Sequence, residues 1–80
     1  MKRYGVWKIR KESGKYHKAV EARYLPDYKR LYLEGVRATL RGSLAHFVVK
    51  RFDNIDSPEA ARKLLEELGF EILDEEIWEA

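Results

Sequence analysis

The 80-residue sequence contains no cysteine and no glutamine, and it has a single asparagine (Asn54) and a single methionine (Met1). Without cysteine there is neither a disulfide framework nor a thiolate metal centre. Packing, turn chemistry and charge placement must hold the chain together, or a partner must. Apolar runs fall far short of the roughly 20 residues of a membrane span. No apolar stretch of the kind found in a signal peptide follows Met1-Lys2-Arg3-Tyr4. These absences point to a cytoplasmic protein with no membrane partner. Scarcity of thermolabile residues beside a 38% charged fraction matches the compositional bias of hyperthermophile proteins. Eighty residues correspond to one domain, residues 1–80, whose burial on folding covers only about 60–70% of the unfolded surface.

Charge is what the chain has most of, and it is unevenly distributed. Residues 1–51 hold 14 Lys/Arg against 4 Asp/Glu, whereas residues 52–80 hold 2 against 10. Such polarity has two physical meanings. The acidic end can fold against the basic end and compensate it, or the basic part can meet an anionic polymer.

The local patterns predict an N-terminal β-hairpin, with residues 4–12 and 15–25 joined by a two-residue turn at Ser13-Gly14. That register sets Trp7 opposite Val20, Gly5 opposite Ala22 and Ile9 opposite Lys18 on an apolar face. The other face then carries Tyr4, Val6, Lys8, Arg10, His17, Ala19, Glu21 and Arg23. Residues 26–42 admit two readings. As a helix, Asp27, Arg30, Glu34, Arg37 and Arg41 gather on one polar arc, with Pro26 at the start and Gly42 at the end. As a strand, the apolar phase changes between Leu33 and Val36, which calls for a bulge near Gly35. The helix is the preferred reading. Leu44–Phe52 has apolar residues on both faces, as a central strand would. Ser57-Pro58-Glu59 starts a helix whose Ala61, Leu64, Leu65 and Leu68 share one face, and Gly69 ends it. A last strand begins at Phe70 and runs toward Trp78. The expected fold is therefore α+β: a small antiparallel or mixed sheet with one or two helices packed on it, in the order ββαβαβ.

Catalytic chemistry finds little support in these residues. Ser13 and Ser43 lie at turns and Ser57 is a helix cap. His17 and His46 are far apart and no cysteine accompanies them, so neither a hydrolytic triad nor a metal centre is expected, and no cofactor. Asp53-Asn54-Ile55-Asp56 lacks the glycine and distal glutamate of a calcium loop. Pro26-Asp27 followed by Glu34-Gly35-Val36 has the order of the Pro-Asp…Glu-x-Lys nucleases, but Val36 stands where their lysine belongs. Lys50-Arg51-Phe52 leading into Ser57-Pro58-Glu59-Ala60-Ala61 resembles the strand-to-helix junction of AP2-type and integrase arm domains, which lay a three-stranded sheet in the DNA major groove. No family is assigned from that short junction.

The chemistry that remains is a basic, aromatic-bearing sheet face of Tyr4, Lys8, Arg10, His17 and Arg23. Lys and Arg neutralise phosphates and release counterions, while Tyr and His stack on bases. This predicts a non-enzymatic domain that reads the backbone of DNA or RNA. The alternative expectation is a protein-interaction or homodimerisation module that uses the acidic C-terminal segment, with Trp78 as its anchor.

Overall fold

The computed structural model describes all residues, 1–80. The chain forms β1 (Arg3–Arg10), β2 (Glu21–Leu25), β3 (Arg30–Ala38), β4 (Leu44–Phe52), α1 (Pro58–Glu67) and β5 (Glu71–Glu79). The strands make one fully antiparallel sheet in the order β4-β3-β2-β1-β5. The element order is ββββαβ with a single short helix, which corrects the expected ββαβαβ arrangement. That helix is too short to cross a membrane.

The correction comes from residues 26–42, which are strand rather than helix. Along β3, Leu31, Leu33 and Gly35 are buried while Arg30, Tyr32, Glu34 and Val36 alternate with them on the other face. A helix would turn Leu31 and Leu33 to nearly opposite sides, whereas the strand puts both on one face and buries them completely between β2 and β4. The β2–β3 connection is a tight turn. Tyr28 and Lys29 donate their amides to Leu25 and Pro26 carbonyls, and Lys29 takes a positive φ of 51°. No bulge forms in β3, so Val36 and Ala38 stay on the face opposite Leu31 and Leu33, and the irregularity lies in the neighbouring strand. The β3–β4 register shifts between Leu33 and Glu34, so Val49 is the extra residue of a bulge in β4. Gly35 is required for a different reason: the Phe47 ring lies against it, and a Cβ there would sit 2.5 Å from the ring.

The first hairpin also differs from expectation. Lys11–Val20 is a ten-residue connection containing Gly14 (φ 91°) and Tyr16 (φ 62°), not a two-residue turn. Trp7 consequently pairs with Ala22 and Gly5 with Tyr24. The register moves by two residues, an even number, so the division into an apolar and a polar face survives within the strands. It fails beyond them: Ala19 is buried and Val20 is 46% exposed, the reverse of the expected placement.

Strand β4 is an edge, not a centre. After the Val49 bulge, Phe52 joins Ala45 and Phe47 on the helix side, paired with Leu31, while Leu44 and Val48 are left 72% and 56% exposed on the other side.

Helix α1 matches its sequence signals. Ser57 Oγ accepts the Ala60 amide at 3.1 Å, Pro58 opens the helix, and Gly69 continues past its end at φ 89°. The helix packs chiefly over β5 and β1. Its Ala61 and Leu65 complete a core of Trp7, Ile9, Ala19, Ala22, Tyr24, Leu31, Leu33 and Phe70. Trp7 is central and wholly buried, with its indole N–H donated to Glu75 Oε1 at 2.8 Å. The opposite face of the sheet has no helix over it.

Candidate nucleic-acid interface

The helix-free face displays four of the five residues singled out from the sequence: Tyr4, Lys8 and Arg10 from β1, and Arg23 from β2. Their charge is largely spoken for. Acidic β5 lies directly beside basic β1, with Lys8 opposite Asp74 and Arg10 opposite Glu71. Arg10 Nη2 lies 2.6 Å from Glu71 Oε2, and that hydrogen bond raises the Arg10 pKa. Arg23 sits between Glu21 (3.0 Å) and Glu34 (3.2 Å), both largely shielded. Tyr4 donates its hydroxyl to Asp27 Oδ2 at 3.1 Å, and this bond, followed by desolvation, raises its pKa. One side of the Tyr4 ring is stacked on Trp78 at 5.7 Å between centroids. His17 is not on this face. It lies in the Lys11–Val20 connection, with Nδ1 3.1 Å from the Gly14 carbonyl oxygen.

Eight of the sixteen Lys/Arg side chains have carboxylate partners: Lys2, Arg3, Arg10, Arg23, Lys29, Arg30, Arg51 and Arg62. Five of the unpaired ones, Lys15, Lys18, Arg37, Arg41 and Lys50, belong to the Lys11–Val20 connection and the β3–β4 hairpin, and all are exposed. The geometry of this region follows from the register. Lys50 pairs with Leu33, Phe52 with Leu31, Phe47 with Gly35 and Arg37 with Ala45, so these residues point to the helix side of the sheet, over the half that α1 leaves open.

Aromatic rings support the cations there. The Arg37 guanidinium is 5.9 Å from the Phe47 ring centre, Lys50 Nζ is 5.8 Å from that of Phe52, and Lys15 Nζ is 5.9 Å from that of Tyr16. Tyr16 meets Phe52 edge-on at 6.0 Å. The Lys18 carbonyl approaches Gly35 beside Phe47, and Val20 donates its amide to the Glu34 carbonyl at 2.8 Å, which fastens the connection to β3. A cation held against a ring face keeps its charge while its stem is immobilised. Sequence reasoning offers Arg37 and Arg41 only as a second candidate surface, on a helix arc with Arg30, and so misses their grouping with Lys15, Lys18, Lys50 and the rings. The available signal was the bulged-strand alternative, which puts Arg37 and Lys50 on adjacent strands.

No known protein family matches this chain. No curated protein and no solved structure matches it either. The Lys50–Ala61 junction is present as the end of β4 and the start of α1.

The other candidate groups have structural partners. Ser57 caps α1, Ser43 hydrogen-bonds Thr39, and His46 Nδ1 lies 3.5 Å from Glu34 Oε1. Asp53 receives Arg30 and Arg51, and Asp56 receives Lys29. A cleft of about 340 Å³ opens between the N-terminus and the start of α1, lined by Lys2, Arg3, Tyr24, Asp56 and Ser57 among others. Its two cations are engaged by Asp27 and Glu59.

Proposed function

We propose that this protein is a nucleic-acid-binding domain that reads the sugar-phosphate backbone through the helix-side surface of the β3–β4 hairpin and the Lys11–Val20 connection. The observation that carries it is that Lys15, Arg37 and Lys50, none with a carboxylate partner, lie against Tyr16, Phe47 and Phe52, with the unpaired Lys18 and Arg41 on the same two segments. The rings already serve as shelves for cations, so the chemistry favours phosphate contact over base stacking, and affinity without sequence preference. His17 joins this surface through its connection. Tyr4, Arg10 and Arg23 are committed to Asp27, Glu71 and the Glu21/Glu34 pair, which moves the proposed contact away from the helix-free face. A cytoplasmic location and a non-enzymatic role accord with this reading.

The test is a fluorescence-anisotropy titration with labelled single- and double-stranded DNA and RNA. Binding is expected to weaken steeply between about 50 and 200 mM salt. The double variant Arg37→Glu/Lys50→Glu should lose at least about tenfold in affinity and flatten the salt slope by about 2. Lys8→Glu/Arg10→Glu, on the opposite face, should stay within about twofold, since it leaves every proposed phosphate contact in place. Absence of binding to all four polymers at low salt would sink the proposal.

The competing reading, a protein-interaction module on the acidic C-terminal segment, draws on the exposure of Leu73 (51%) and Trp78 (41%) along β5. Against it, Glu71, Glu75 and Glu79 already meet Arg10, Arg62 and Arg3. It predicts a partner that protects residues 71–79 and a complex insensitive to salt.

A further inference from the structure

The two edges of the sheet are treated differently by the sequence. Edge strand β5 carries Glu71, Asp74, Glu75, Glu76 and Glu79, a density of charge that discourages pairing with another strand. Edge strand β4 has no such guard over most of its length. Ser43–Val49 contains no Lys, Arg, Asp or Glu, and it is bounded by Arg41 and Lys50. Within it, Leu44 and Val48 project from the helix-free face opposite Ala38 and Glu34, and both are largely exposed. His46 lies midway between them on the same face, opposite Val36.

We propose that β4 pairs with β4 of a second copy, antiparallel and centred on His46, to form a homodimer with a continuous ten-stranded sheet. The spacing makes the strand its own complement. With the two-fold axis through His46, Leu44 faces Val48 of the other copy in both halves of the seam, and Ala45 faces Phe47 on the helix side. Directly opposed apolar pairs of this kind stabilise sheets. A uniformly acidic or basic partner strand would set charge against this uncharged segment, whereas a second copy sets none there. Helix α1 lies over β1 and β5, away from the seam, and does not obstruct the approach. The like charges of Arg41, Lys50 and Arg51 fall at the ends of the seam, outside the uncharged segment and beyond the Val49 bulge, and Arg51 is partly neutralised by Asp53 at 3.4 Å. The arrangement is isologous and therefore closes at two copies. Because the axis is perpendicular to the sheet, both clusters of unpaired cations fall on one side of the dimer. The dimer rests on the β4 edge alone and does not depend on nucleic-acid binding.

A seam of one strand pair is smaller than the roughly 1,200 Å² of stable complexes, so a dissociation constant of about 10–100 μM is expected. Sedimentation velocity across a concentration series bracketing that range reads it. Val48→Lys, which sets a charge against Leu44 in both halves of the seam, should weaken the dimer at least tenfold. Leu73→Lys on the guarded β5 edge should leave it unchanged. Added salt should tighten it by screening the terminal cations of the two copies from one another, the opposite of the response expected for phosphate binding. Amide hydrogen exchange on the unaltered protein gives a readout independent of any variant, with the Ser43–Val49 amides gaining protection as concentration rises. A monomer at all concentrations, a dimer insensitive to Val48→Lys, or protection at β5 instead of β4 would overturn the proposal.

Discussion

Trp7 and Glu75 show how a thin core is made to hold together. The largest side chain of the core is fully buried, and its single polar atom finds an acceptor in the last strand. Glu75 also receives Arg62 from α1 at 3.3 Å, so one carboxylate ties the first strand, the helix and the last strand together. Substituting Glu75→Ala leaves a buried indole N–H without a partner, a loss of about 1–3 kcal/mol. Urea denaturation should show the midpoint falling with little change in slope, and Glu75→Gln, which keeps an acceptor oxygen, should lose less. Gly5 belongs to the same arrangement, because the Trp7 ring lies where a side chain at position 5 would be. The sequence marks Trp7 as a core residue by its alternation with Gly5 and Ile9. Nothing in it marks Glu75, 68 residues away, as the acceptor.

Among the elements, α1 was the most legible. Its signals are all local: a capping serine, a proline in the first turn, apolar residues on one face, and a glycine after the end. Ser57→Ala removes the acceptor for the Ala60 amide and should lower stability by about 1 kcal/mol, measurable as a reduced midpoint in thermal unfolding. Residues 26–42 were misread because their local signals conflict. The polar arc of Arg30, Glu34, Arg37 and Arg41 is genuine helical periodicity, yet Leu31 and Leu33 are two apart, which is strand periodicity. The arbitration is non-local. On one side β2 supplies Tyr24 and Ala22, on the other β4 supplies Phe52 and Lys50, and together they seal both leucines. Misreading this segment also hid the cationic cluster, since Arg37 adjoins Phe47 only when β3 and β4 are paired.

For the whole molecule, the contrast between a basic N-terminal part and an acidic C-terminal part resolves into a sheet-wide pattern. Strand β5 returns to lie beside β1, where Arg3 and Arg10 meet Glu79 and Glu71. Two further links hold the N-terminus: Lys2 engages Asp27 in the β2–β3 turn, and Arg3 grips Glu59 in α1 through two hydrogen bonds of 2.8 and 2.6 Å. Both carboxylates titrate below their ordinary range, Asp27 through its bond to Lys2 and Glu59 through its bond to Arg3. A carboxylate with a depressed folded-state pKa contributes stability above its unfolded value and loses it as pH falls through the folded value. The melting temperature should therefore drop as pH is lowered past about 4. The double variant Asp27→Asn/Glu59→Gln should start lower at neutral pH and fall less steeply. An unchanged acid slope would show that these two links do not govern acid unfolding.

By itself the sequence determined the helix, the separation of faces within the first two strands, and the polarity of charge, because each depends on residues within a few positions of one another. Only the tertiary structure decided that residues 30–38 are strand, that β4 is an edge, and which cations stay unpaired. Those outcomes depend on strand partners far away in the chain. They follow from burying Leu31 and Leu33 from both sides and from the return of acidic β5 to basic β1, and local preference carries information about neither.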